Sequence, residues 1–189
     1  LTRALAREAA ANDLQVRVAD LDTQQGTVVN WQRRRLALGV EPVVSVESFA
    51  TAQSALSRSS DVHALLIDGP ARASKGTLDI ARASDLIVQP TGASLDDLEP
   101  AVMLFHELVQ NGIDREKLLF ALSRVGTESE EKYCRTYLKK AGFEVLKGCV
   151  YEKPGYRQAM NSGYVVTETR FAKLNKKADL LIQSLIDKI

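Results

Sequence analysis

Apolar residues along this chain fall into two kinds of segment that alternate. Short runs of Val, Ile and Leu occur at positions 16–19, 42–46, 64–67, 86–88, 118–122 and 145–146. None of them alternates polar with apolar, which is the pattern of strands buried on both faces of a parallel sheet. Between them lie longer stretches that predict helices at 2–11, 27–38, 48–57, 77–83, 95–111 and 128–141, with Gly112 and Gly142 placed as C-terminal stops. This alternation predicts an α/β fold, a doubly wound and mostly parallel sheet with helices on both faces and right-handed crossovers. No repeat, linker or low-complexity segment interrupts the 189 residues, so a single domain spanning 1–189 is expected.

Composition narrows the class. At 45% hydrophobic and 26% charged residues the chain is globular rather than disordered or fibrous. No uninterrupted apolar run reaches the roughly 18 residues of a spanning helix, and no secretory leader is evident, so a cytoplasmic protein is expected. Cys134 and Cys149 are too few for a disulfide framework. With only His63 and His106 beside them and no Cys-x-x-Cys, a structural zinc site is not expected. The net charge of +1 is unevenly spread: 13 Lys and Arg face 19 Asp and Glu up to Glu131, against 12 and 5 from Lys132 onward. A basic final third on an acidic body suggests a polyanion partner, the alternative being solvated lysine-rich helix faces.

Doubly wound sheets carry their chemistry at the carboxyl ends of their strands. There the chain reads Asp20-Leu21-Asp22-Thr23-Gln24-Gln25-Gly26 after one strand and Asp68-Gly69 after another. Acids ending two separate strands, each followed by small residues, are the parts of a metal–phosphate site. The alternative is that Asp20 and Asp22 cap the helix beginning at Thr27.

At these residues the sequence resembles the ParA family of deviant-Walker partition ATPases. Asp20-Leu21-Asp22-Thr23-Gln24 is similar to the family's Asp-x-Asp-Pro-Gln motif, with Thr23 in place of proline. Leu65-Leu66-Ile67-Asp68-Gly69-Pro70 resembles its Walker B strand, and Asp85-Leu86-Ile87-Val88-Gln89-Pro90-Thr91 with Leu95-Asp96 the next strand and helix start. Gly155-Tyr156-Arg157-Gln158-Ala159-Met160 with Gly163 resembles the segment before the family's last helix. Trp31 and the pair Ser123-Arg124 resemble the small ParF-like branch. The family's Gly-rich phosphate loop and first strand are not matched. The stretch 69–77 has similar letters but lacks the Gly-x4-Gly-Lys-Ser/Thr spacing and reads as a loop leading into a helix. The resemblance therefore implies a P-loop NTPase-like domain incomplete at its N-terminal end, with this chain alone not expected to hydrolyse ATP.

The resemblance also implies roles. ATP and Mg2+ would be the cofactors, with hydrolysis at the interface of an ATP-dependent homodimer. Asp22 would position the attacking water. Asp20 and Asp68 would support Mg2+, largely through its water shell. Gln24, Ser123, Arg124, Tyr151 and Glu152 would contact nucleotide, although Ser123 stands where the family often has asparagine. Read from the residues alone, Arg124 could equally pair with Glu128 or Glu130. Lys173, Lys176 and Lys177 would contact nonspecific DNA. They lie off an apolar stripe of Phe171, Leu174, Ala178, Leu181, Leu185 and Ile189 that reads as core packing. Arg33-Arg34-Arg35 reads as a solvated face or a partner contact. The expected activity is partition of plasmid or chromosomal DNA with a centromere-binding ParB/ParG-like partner, the protein being nucleoid-associated when ATP-bound and without stable membrane association. The alternatives are a nucleotide-switched binding module, or a MinD-like positioning ATPase whose amphipathic last helix meets a membrane surface.

Overall fold

In the structure of the chain, a computed structural model, residues 1–69 and 75–189 are described. The elements in chain order are α1 (Thr2–Ala11), β1 (Val16–Asp20), α2 (Thr27–Ala37), β2 (Ser45–Ser48), α3 (Ala52–Leu56), β3 (Ala64–Asp68), α4 (Lys75–Ala83), β4 (Ile87–Thr91), α5 (Leu95–Gln110), β5 (Leu118–Val125), α6 (Glu128–Lys140), β6 (Glu144–Val145), β7 (Val150–Tyr151), α7 (Pro154–Asn161) and α8 (Ala172–Ile186). They divide between two compact units, residues 1–80 with 155–171 and residues 81–154 with 172–189.

The first unit is built on a parallel sheet of order β2-β1-β3. The unbroken apolar run in β1 buries Val16, Val18 and Ala19, as a central strand requires. Helix α1 lies against β1 and β3, and α2 against β1 and β2. The turn into α2 closes at Gly26, whose φ of +53° is the left-handed region that glycine enters without a Cβ clash.

The second unit has a parallel sheet of order β4-β5-β6, with β7 pairing the far end of β5. Leu118, Leu119, Phe120, Ala121 and Leu122 are fully buried on both faces of β5. Leu98, Ala101, Phe105 and Leu108 recur at helical spacing on the buried side of α5. Phe105 meets Phe120 at 4.4 Å between ring centroids and Phe143 at 5.3 Å. Truncating any of these rings to alanine costs about 3–5 kcal/mol.

Three departures from the sequence pattern have physical causes. Strand β2 begins at Ser45 rather than at Pro42, because proline has no N–H to give a ladder. The helix expected over 48–57 shrinks to α3, since β2 runs to Ser48 and the Thr51 hydroxyl caps the turn by accepting from the Ser54 N–H at 3.1 Å. Strand β3 is apolar from Ala64 to Ile67 but only half-buried, because among the described residues just one of its edges, toward β1, carries a partner strand.

Candidate functional site

Asp20 and Asp68 are register partners at the carboxyl ends of β1 and β3, and the Leu21 N–H donates to the Asp68 carbonyl at 3.1 Å. Parallel pairing thus brings the acids of two distant segments to one sheet tip, with Asp22 two residues beyond. Each carboxylate is held differently. Asp20 is fully buried; its Oδ1 accepts from the Asp22 N–H at 3.1 Å and its Oδ2 from those of Val28 at 3.1 Å and Val29 at 3.3 Å. It closes the first turn of α2, where backbone donors and the helix dipole favour an anion. The capping alternative therefore holds for Asp20. Asp22 is half-buried, and its Oδ1 accepts from the Gln25 N–H at 3.1 Å within the turn. Asp68 is half-buried, and its Oδ1 accepts from the Thr2 hydroxyl at 2.8 Å. Gln24 is exposed in the turn between β1 and α2.

A cation stands beside these acids. Arg3 donates to the Thr27 carbonyl at 2.9 Å, and its guanidinium lies 6.0 Å from the Trp31 ring centroid. Burial pulls the Arg3 pKa down; the charges of Asp68 and Asp20 oppose that shift and Arg34 adds to it. Among the described residues the tip accordingly combines the carboxylates of Asp20, Asp22 and Asp68 with the guanidinium of Arg3.

The donor set suits Mg2+ only through water. Both oxygens of Asp20 are engaged by amides, and among the described residues no three His, Cys, Asp or Glu side chains gather to hold an ion directly. Asp22 Oδ2 and Asp68 Oδ2 make no hydrogen bond among the described residues, so each can accept from a metal-bound water.

The remaining nucleotide candidates lie in the second unit, at the ends of β5 and β7. Ser123 pairs with Val150 and Val125 with Tyr151, leaving Arg124 as a bulge residue with φ +60°. Arg124 is exposed and makes no ion pair among the described residues. Glu130 instead serves the capping box of α6 with Thr127, and Glu128 lies 3.7 Å from Lys177. The Tyr151 hydroxyl donates to Glu131 Oε2 at 2.5 Å, and the Lys177 ammonium sits 4.4 Å from the Tyr151 ring centroid. Burial and that hydrogen bond push the Tyr151 pKa up. The exposed Glu152 donates its backbone N–H to the Val125 carbonyl at 2.7 Å.

On α8 the buried face is Ala178, Leu181, Ile182 and Leu185. Phe171 and Ile189, expected on the apolar stripe, fall outside the helix and are 43% and 78% exposed. Lys173 and Lys176 are exposed without an ion pair among the described residues, whereas Lys177 is engaged by Glu128 and Tyr151.

The triple arginine run is corrected by the structure. Arg33 and Arg34 face solvent, but Arg35 is fully buried and paired with Glu168 at 2.7 Å and 3.0 Å. It also donates to the carbonyls of Glu41, Pro42 and Gly163. A charge so enclosed is stable only because every donor is answered. The signal in the sequence was weak: three identical residues turn through 200° of helix, so one of them must face inward.

Thr2 and Arg3 were also missed, since helical periodicity in α1 marks only its apolar face. Of the stretch 69–77, residues 70–74 lie outside the described residues.

These elements define a parallel-sheet architecture with helices on both faces, a fold also found in solved MinD and ParA-family structures. No protein-family model matches the chain, and no curated protein matches it. Solved structures do. A plasmid partition protein from Borrelia burgdorferi bound to AMPPNP superposes with a TM-score of 0.73 at 13% identity, covering 100% of this chain and 93% of that one. A septum site-determining MinD from Pyrococcus horikoshii complexed with Mg-ADP gives 0.71 at 14%, covering 97% and 88%. A Cyanothece McdA–ATP complex gives 0.67 at 14%, covering 97% and 90%. At such identities it is the fold that is shared. Among the described residues no helix is long and apolar enough to cross a membrane.

Proposed function

We propose that this chain is a MinD/ParA-type ATPase that partitions plasmid or chromosomal DNA. In this reading ATP joins two copies, and the pair binds DNA without sequence preference and responds to a centromere-binding ParB/ParG-like partner. The observation that carries the proposal is the convergence of Asp20, Asp22 and Asp68 on one sheet tip. The shared fold with proteins solved as AMPPNP, Mg-ADP and ATP complexes supports it.

The residues then divide the task. Mg2+ would neutralise charge on the phosphates. Asp68, braced by Thr2, would hold the metal's water shell, and Asp22, with one oxygen uncommitted, would orient the attacking water. Asp20 would fix the turn that presents Asp22. Ser123, Arg124, Tyr151 and Glu152 would form the base side, Arg124 stacking through its planar guanidinium, and Gln24 would reach the nucleotide from the turn. Lys173, Lys176 and Lys177 would meet phosphodiesters, giving a steep dependence on salt.

The test is ATP turnover by the protein, wild type against Asp22→Ala. A loss of about a hundredfold is expected for a water-orienting group. Unchanged turnover overturns the assignment. A DNA mobility shift with and without ATP tests the second activity.

A MinD-like membrane reading draws on Leu180, exposed on α8 beside Lys173 and Lys176. The helix's principal apolar face, Ala178, Leu181, Ile182 and Leu185, is already buried, which favours DNA. Vesicle co-sedimentation that depends on α8 would reverse that preference.

A further inference from the structure

The second unit holds one contact that joins two sets of residues given separate tasks. The Lys177 ammonium lies over the Tyr151 ring at 4.4 Å from its centroid and 3.7 Å from Glu128 Oε1. The ring itself is anchored. Its hydroxyl donates to Glu131 at 2.5 Å, and Glu131 is held by Arg135 Nε at 2.8 Å. Arg135 in turn donates to the carbonyls of Leu146 at 2.8 Å and Gly148 at 2.6 Å. The lysine is the more exposed partner, a four-carbon stem on the exposed face of α8 whose side chain is half-exposed.

We infer that Lys177 is a latch linking the nucleotide's base to the polyanion surface: it covers the face of Tyr151 on which a base would stack, and leaves that face when it pairs with a phosphodiester. The inference rests on the nucleotide and DNA roles proposed above and adds a regulatory link between them. A base stacked on Tyr151 displaces the ammonium. A DNA phosphate taking the ammonium uncovers the ring. Either event breaks the same contact, so when both occur the contact is lost only once. The two ligands therefore favour each other, and by linkage each strengthens the other by the same factor. An exposed cation–π contact sets that factor at about two- to fivefold.

ADP is the probe for the base and a short mixed-sequence duplex the probe for the polyanion. In the free protein the Lys177 ε-methylene protons, assigned by their loss in Lys177→Arg, should resonate upfield under the Tyr151 ring current. They should move downfield as ADP or duplex is added. Lys177→Ala should bind ADP about two- to fivefold more tightly than wild type, and duplex should no longer improve its ADP affinity through this residue. Glu128→Gln should shrink the same coupling without touching either ligand. ADP binding that leaves the Lys177 resonances in place, or an unaltered ADP affinity in Lys177→Ala, overturns the latch and leaves the nucleotide reading standing. Failure of the protein to bind ADP at all overturns both.

Discussion

Asp20 and Asp68 face each other across the parallel ladder of β1 and β3, yet only one of them is left with a carboxylate oxygen to offer. Asp20 gives one oxygen to the Asp22 amide in the turn and the other to the Val28 and Val29 amides at the start of α2. Asp68 gives one to Thr2. The division separates stability from chemistry at a single sheet tip, and mutation can read it out.

Asp20→Ala should lower stability by about 2–3 kcal/mol, because it strands buried N–H groups as well as removing a helix cap. Asp22→Ala removes one hydrogen bond in a turn and should stay within about 0.5 kcal/mol of wild type while abolishing most turnover. Urea denaturation of the two variants measures the contrast. Equal losses of stability would remove the distinction drawn here between the two acids.

That contrast shows what the chain makes legible. The run Val16–Asp20 and the acid at Asp68 announce strand tips, because apolar runs followed by acids and small residues have few other uses in an α/β fold. In the sequence Gly163 stands only as part of a family-like segment, yet it is a fixed point of the backbone. Its φ is +75°, and a Cβ there would sit 2.6 Å from the Arg35 nitrogen. Which carboxylate caps and which stays open depends on hydrogen bonds to residues up to 66 positions away, as between Thr2 and Asp68, and periodicity carries no such information. Strand β7 has two residues, too few for any pattern. The burial of Arg35 turns on Glu168, 133 positions later in the chain.

The Arg35–Glu168 pair predicts an acid limb. Burial alone would raise the Glu168 pKa, but the hydrogen bond and charge of Arg35, the Val165 amide and Arg7 outweigh it and hold the carboxyl below its usual range. The stabilisation is thus fully present above the unfolded carboxyl's value, about 4.3, and is lost as pH falls through the lower folded value. Glu168→Gln should cost about 3 kcal/mol at pH 7. The gap to wild type should narrow as the pH drops below about 4. Urea midpoints measured from neutral to acid pH follow it, and a gap independent of pH would show that the pair is not ionised as described.

Cys149 should be inert as a thiol. Burial first, and then the Glu131 carboxylate that its Sγ–H meets at 3.4 Å, push its pKa up to about 12. Cys134 is also buried and shifted upward. Since the thiolate is the nucleophile, native protein at pH 8 should react with a disulfide reagent far more slowly than unfolded protein, in which both thiols return to about 8.5. Rapid labelling of Cys149 in the folded state would contradict the enclosed Glu131–Tyr151–Cys149 arrangement.

Arg124 is where the backbone itself points to a task. It is the bulge residue between Ser123 and Val125, at φ +60°, with an exposed side chain that makes no ion pair among the described residues. A β-carbon in that region costs about 1–2 kcal/mol, and nothing in the folding of the strand requires arginine there. Glycine would remove the strain, though it also loosens the unfolded chain, so Arg124→Gly should be as stable as wild type or up to about 1 kcal/mol more so. If the guanidinium stacks on a base, the same substitution should weaken ADP binding several-fold, and Arg124→Lys, which keeps the charge but loses the planar fork, should weaken it nearly as much. Thermal denaturation paired with ADP titration separates the two effects. A variant that loses stability and keeps its nucleotide affinity would make Arg124 a structural residue of the β5–β7 bulge.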